Sequence, residues 1–419
     1  LARLAALLVG RPALIYSHDG HSAYASPEAL RRAGLDRAAT DPLGGRIERE
    51  PDGEPNGLLR ERATDLVDRV AKRLAGPALD QALAESLAEL AGLGVTGAVD
   101  AGDSTADNGV GEFAAFGDRA SILAAARVWL DGRLRLTVNV PAAAIPAAAD
   151  LRMRTGLGYP DATTVHFGWA KTYVDGALGS RTAAIYEPYS CGPSGETGIP
   201  RLSEEELDEV IAAGREARIA LAVHAIGDRG AAMVLDAFAR ARPRAAGTPP
   251  DRMEHLQLLR PDDARRLALG HITASVQPIH CASDRSMVDA CWDGRQQHAY
   301  PWRTIVDAGA RLAFGSDAPI ESPNPWLGIF AALHRRYPGD GTADWHPEHA
   351  LRFAEALAAY TTGPAGAAGL VDEGHLRPGA RADLAVLNVD LETLLGADES
   401  LADVRADLTM VGGAEVHRA

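Results

Sequence analysis

Ala313-Phe314-Gly315-Ser316-Asp317-Ala318-Pro319 runs an apolar strand straight into an aspartate and then a proline. Proline has no N–H for a sheet ladder, so pairing stops there. Asp317 therefore stands at the C-terminal tip of a strand, where parallel α/β folds keep their chemistry. Two other segments end the same way. Leu221-Ala222-Val223-His224 leads into Ala225-Ile226-Gly227-Asp228, and Arg252-Met253-Glu254-His255 leads into Leu256-Gln257. Two imidazoles and a carboxylate, each closing a different strand, are how a catalytic metal site is assembled on a barrel.

Working outward from these segments, strand-like and helix-like stretches alternate. Strands are expected at 94–100, 134–140, 164–174, 219–224, 252–256, 272–277 and 311–316. An Ala/Leu-rich helix is expected from about 66 to 91. Another is expected over 203–217, with Ser203 as its N-cap and acidic residues in its first turn. Such alternation reads as a parallel sheet covered by helices. Seven strands are one short of a closed eight-stranded barrel. Residues 1–65, rich in Gly, Pro, Asp and Arg, read as irregular. The segments Arg381–Leu387 and Leu408–Gly413 read as β structure outside the barrel.

Composition narrows the class. The 419 residues carry 42 Lys and Arg against 57 Asp and Glu, a formal charge of -15. Nucleic-acid binding needs basic faces and is not expected. No apolar run approaches the ~18 residues of a membrane span. A hydrophobic content of 46% suits a chain with an ample core. The three cysteines, Cys191, Cys281 and Cys291, form no C-x-x-C pair. Reduced thiols in a cytoplasmic protein are the expectation.

Each motif has a bland reading beside the chemical one. Gly92-Leu93-Gly94-Val95-Thr96-Gly97 satisfies G-x-G-x-x-G, but a dinucleotide fingerprint needs a strand before it and a helix after it. Here the order is reversed, and a helix end turning into a strand accounts for the glycines. His224 or His255 alone reads as a buried, hydrogen-bonded histidine, and Asp317 alone as a helix cap. The three together favour joint metal ligation. Lys171 can join a divalent site only if its amine is neutral or has become a carbamate; the alternative is an ion pair with Asp175 or another acid. His18 and His21 are three apart, which puts them on opposite faces of a strand. Paired ligands on one strand need H-x-H, which occurs nowhere among the 13 histidines. His18 and His21, like His346 and His349, therefore read as loop, substrate-side or structural residues.

Assembled in order, these residues resemble the amidohydrolase superfamily, specifically amidohydrolase family 3 of the YtcJ-like kind. The resemblance spans nearly the whole chain. It rests on Asp19-Gly20-His21, on Pro42-Leu43-Gly44-Gly45-Arg46-Ile47, and on Asp52-Gly53-Glu54-Pro55-Asn56-Gly57. It continues through Lys171, Asp175-Gly176-Ala177-Leu178-Gly179-Ser180-Arg181, His224-Ala225-Ile226-Gly227-Asp228, Glu254-His255, Gln277-Pro278 and Gly315–Pro319. It closes with Gly374-His375-Leu376-Arg377-Pro378-Gly379-Ala380-Arg381-Ala382-Asp383-Leu384.

The resemblance implies a (β/α)₈ TIM-like barrel over 1–370, with an inserted loop or helical region at about 16–65. It also implies a small β-sandwich, of which 371–419 supplies the C-terminal part. The implied reaction is hydrolysis of a carbon–nitrogen bond other than a peptide bond, in a small substrate, at one or two divalent metals such as Zn²⁺. By motif, Lys171, His224, His255 and Asp317 correspond to metal ligands, with Asp317 doubling as general base. Lys171 is the one open to carboxylation. His280, Arg181 and His21 are candidate substrate contacts. A small-molecule substrate and a second copy of the chain in a homodimer are the partners expected.

The family's H-x-H strand and the sandwich strands before it are missing, and the chain opens on Leu1. A chain shortened at its N-terminus is the expectation. A homologue that lost catalysis and serves as a binding or structural protein is the rival. A deaminase or lactonase would share the same ligand set.

Overall fold

The computed structural model describes residues 7–8, 10–68, 70, 77–101, 132–158, 163–396 and 398–419. Its first part is not irregular. Strands β1 (Leu14–Tyr16), β2 (Ser22–Ala25), β3 (Gly45–Arg49) and β4 (Pro55–Glu61) make an antiparallel sheet in the order β1-β2-β4-β3. The Gly- and Asp-rich composition that suggested loop sits in the turns, at Gly20 (φ 71°) and Gly53 (φ 91°). The region expected as an insertion thus carries a four-stranded sheet joined by turns and one short helix, Pro27–Arg32, capped by Ser26. Ala25, Leu30, Ile47, Leu59 and Val67 give it a small core of its own. Strands of three to seven residues are too short for alternation to stand out against the turn residues around them.

The seven expected strands all form. They are β5 (Gly97–Asp100), β6 (Arg135–Pro141), β7 (Val165–Tyr173), β8 (Leu221–Ala225), β9 (Arg252–His255), β10 (Thr273–Val276) and β11 (Arg311–Phe314). They lie side by side in chain order in one parallel sheet. Helices Glu204–Ala217, Asp228–Arg240, Pro261–Leu269 and Pro278–Cys291 connect successive strands. Ser203 caps the first of these in a capping box with Glu206. Strands β8, β9 and β10 are buried along their whole length, as expected for a sheet covered on both faces. The architecture is a TIM-like (β/α) barrel, with seven parallel strands among the described residues.

The helix expected at 66–91 is described as Asp65–Asp68 and Pro77–Gly92; residues 69 and 71–76 lie outside the described residues, as does most of the apolar opening Leu1–Val9. Helix Pro77–Gly92 ends where expected, and Gly94 (φ 81°) turns the chain into β5. That helix-then-strand order excludes the dinucleotide reading. Strands β12 (Leu384–Leu387), β13 (Ala406–Val411) and β14 (Ala414–Arg418) form an antiparallel sheet against it. Thr409 Oγ1 donates to the Ala91 carbonyl at 2.7 Å, and Arg135 of β6 pairs with Asp383.

The cysteines overturn the expectation of reduced thiols. Cys191 and Cys291, 100 positions apart, form a disulfide. It ties the long loop after β7 to the end of helix Pro278–Cys291, where Ser190 N–H also donates to the Cys291 carbonyl. Only that fold-back brings the two residues together, so their spacing in sequence carried no sign of it. Cys281 is free and buried. Among the described residues, no helix is long and apolar enough to cross a membrane.

Candidate metal centre

A cavity of about 800 Å³ lies at the C-terminal tips of the barrel strands. Lys171, Tyr173, His224, His255, His280 and Asp317 line it from the barrel, and His18, Asp19, His21 and Glu61 from the N-terminal sheet. Four imidazoles cross its floor. Ring centroids are 5.0 Å apart for His21 and His224, 4.4 Å for His224 and His255, and 6.2 Å for His255 and His280.

Strand register explains part of this arrangement. Tyr173 pairs with His224, which pairs with Glu254, so β7, β8 and β9 bring equivalent positions to one level. His255 and Leu256 then adopt positive φ (76° and 47°), as does Asp317 (58°). A non-glycine residue in the left-handed region costs on the order of 1–2 kcal/mol. Such strain collects where tertiary structure overrides local preference, often at functional sites.

Three donor atoms come close together. One atom each from His255, His280 and Asp317 lies within 4.8 Å of the other two, close enough to share a cation. Among the described residues this is the group of His, Cys, Asp and Glu that meets that test. His255 Nδ1 lies 2.9 Å from Gln277 Oε1, so an accepting Gln277 leaves Nε2 free as a lone-pair donor. His224 Nε2 lies 3.2 Å from the Gly176 carbonyl, which can only accept, and Nδ1 is left free. Such outer hydrogen bonds are what orient ligating histidines.

Burial holds His224 well below the ordinary imidazole range. Burial also lowers His255, to about 4, outweighing the raising effect of Asp317. Both are therefore neutral at pH 7, the form that binds metal. Burial lowers Lys171 as well, partly offset by the charges of Glu254 and Asp317. Its Nζ sits 4.7 Å from the Tyr173 ring centroid. The ion pair considered for Lys171 is not made: no carboxylate of the described residues lies within 4.0 Å of it. Glu254 pairs instead with Arg252 at 3.0 Å. Burial would raise Asp317, but His280, with Nε2 at 3.5 Å, and the charges of His255 and Lys171 prevail and hold it at about 2. His280 shows the reciprocal effect. Burial lowers it, while Asp317 and Glu321 together raise it to about 9.

The expected site residues thus divide. Lys171, His224, His255 and Asp317 line one cavity although they are far apart in sequence, and His21 and His280 line it with them. His280 is the third residue of helix Pro278–Cys291. Arg181 is not among the lining residues. Its Nε donates to Glu196 at 3.0 Å, and Arg201 is the arginine that faces the cavity.

Glu61 was not singled out from the sequence. It is fully buried and meets His21 Nδ1 at 3.0 and 3.1 Å, Arg201 at 3.5 Å, and the Thr182 hydroxyl. Nothing in its local sequence marks it, because its importance comes from docking the N-terminal sheet onto the barrel. Asp175 did carry a signal, a carboxylate closing β7 as Asp317 closes β11. Burial raises it to about 7, and it accepts from the Ile226, Gly227 and Ala184 amides, shaping the loop just after His224.

Comparison with known proteins identifies the family and the fold. The chain is 31% identical to the YtcJ protein of Bacillus subtilis (strain 168) over 422 residues, covering 98% of this chain and 75% of that one. It is 27% identical to N-substituted formamide deformylase of Arthrobacter pascens over 387 residues, covering 90% and 69%. The fold is similar to an uncharacterized metal-dependent hydrolase of Pyrococcus horikoshii OT3, with a TM-score of 0.71 and 25% identity, covering 93% of this chain and 73% of that one. The model of the amidohydrolase family matches residues 1–417. With the barrel, the strand-tip histidines and aspartate, and this match along nearly its full length, the chain belongs to the amidohydrolase family and is an enzyme of the amidohydrolase type.

Proposed function

We propose that this chain hydrolyses a carbon–nitrogen bond, other than a peptide bond, in a small N-acyl or N-formyl compound, with a divalent cation at the barrel mouth. The observation that carries this reading is the meeting of His255, His280 and Asp317 donor atoms within 4.8 Å in the wall of an 800 Å³ cavity. Similarity to a formamide deformylase supports the choice of bond.

The residues fit a cation. The neutral imidazole of His255 and the Asp317 carboxylate, joined by His280 once a cation displaces the proton that Asp317 and Glu321 favour on it, are a donor set suited to Zn²⁺. His224, with Nδ1 free, and Lys171 flank the same space. A neutral Lys171 amine can add carbon dioxide, losing a proton to become a carbamate with two donor oxygens. When bound, the cation lowers the pKa of a bound water toward ~7 and polarises the scissile carbonyl.

The chain's own groups supply the rest. Asp317 is ionised at neutral pH and is the base that takes the attacking water's proton. The same carboxyl returns that proton to the departing nitrogen, which would otherwise leave as an amide anion. Arg201 and His21, held by Glu61, orient the remainder of the substrate.

The test is a panel of N-formyl and N-acyl amines offered to the purified protein, with metal per chain measured by elemental analysis. Hydrolysis should disappear on dialysis against a chelator and return with Zn²⁺. A protein that binds no divalent metal and turns over none of the panel would sink this reading.

A further inference from the structure

Resting on the reading that the cavity holds a divalent cation, we propose that His280 is a ligand of that cation, completing a three-point site with His255 and Asp317. The sequence pattern offered His280 only as a substrate contact. The geometry points further.

His280 Nε2 lies 3.5 Å from Asp317 Oδ2. A charge-assisted N–H···O bond between such groups draws the atoms to about 2.7–2.9 Å. Two ligands of a tetrahedral cation, each about 2.1 Å from it, are about 3.4 Å apart, the edge of the tetrahedron being about 1.63 times the bond length. The observed spacing matches two ligands of one cation better than it matches a direct ion pair.

The other side of the ring agrees. His280 Nδ1 faces Glu321 Oε1 at 4.0 Å, and Glu321 is held in turn by the Tyr337 hydroxyl at 3.0 and 3.2 Å. At 4.0 Å Glu321 is beyond hydrogen-bond reach, but its charge behind the ring favours the Nδ1–H form, which leaves Nε2 for the metal. His280 is also rigidly placed. It lies in the first turn of a fourteen-residue helix and is buried.

The test uses the whole chain stripped of metal and titrated with Zn²⁺ and Co²⁺. Affinity is read by competition with a chromophoric chelator, stoichiometry by elemental analysis, and coordination by the visible bands of bound Co²⁺. His280→Ala should weaken binding at least 100-fold and shift or bleach the Co²⁺ bands. Glu321→Gln should weaken it about tenfold, in the range seen for partners of ligating histidines. If His280→Ala folds poorly, His280→Gln keeps most of the volume and decides the point. Binding by the folded His280 variant within threefold of the parent, with unchanged Co²⁺ bands, overturns the proposal. The reading beneath it fails separately, if His255→Ala and Asp317→Ala also leave affinity unchanged.

Discussion

Replacing Glu61 by glutamine tests how the N-terminal sheet is held on the barrel. The carboxylate is fully buried between His21, Arg201 and Thr182. Glutamine keeps the size but removes the charge, leaving the buried Arg201 guanidinium and the half-buried His21 imidazole without their anion. Breaking a buried pair from one side costs about 3–5 kcal/mol. At about 2.1 cal/mol/K per residue, a 419-residue chain unfolds with an entropy of about 0.9 kcal/mol/K. The expected fall in melting temperature is therefore about 3–6 °C.

The pH dependence has a definite sign. Burial would lower His21, but Glu61 and Asp19 raise it above 6.5. Its contribution is complete below pH 6.5 and is lost as pH rises through the folded value. Burial would raise Glu61, but His21 and Arg201 lower it below 4.5. Its contribution is complete above pH 4.5 and is lost as pH falls through the folded value. The gap between parent and variant should be widest between about pH 4.5 and 6.5 and narrow toward pH 9. It should not close there, because Arg201 keeps its charge. Calorimetric melts at pH 6, 7.5 and 9 at one scan rate would read it. A variant melting within about 1 °C of the parent at pH 6, or a gap that widens toward pH 9, would refute the reasoning.

Two further outcomes follow from the same geometry. Asp317→Asn should cut turnover by about 10²- to 10⁴-fold with the fold retained, since asparagine cannot take a proton; near-parental turnover at full metal occupancy would rule Asp317 out as the base. Cys191→Ser opens a cross-link spanning 100 residues, worth about 4–5 kcal/mol on a chain-entropy basis. It should lower the denaturant midpoint, and a reductant should bring the parent to the same midpoint without moving the variant; a parent that reductant leaves unchanged would show that the cross-link contributes nothing.

All seven parallel strands were legible in the sequence, most of them because strands buried on both faces, as β8, β9 and β10 are, read as short apolar runs bounded by turn residues. The helix Glu204–Ala217 was legible from its cap and period, and Asp317, His224 and His255 from their places at strand ends. These are local signals, and local physics suffices to read them. What tertiary structure decided is of another kind. β1 to β4 exist because short strands find one another across the chain, which their own composition does not announce. The Cys191–Cys291 link depends on a loop folding back over a helix, and the choice of Arg201 over Arg181 for the cavity depends on Glu196 engaging Arg181 first. His280 joins His255 and Asp317 because a helix start and two left-handed backbone turns deliver three side chains to one point. No periodicity in the sequence encodes a meeting set by the relative placement of separate elements, and that placement is fixed only when the barrel packs.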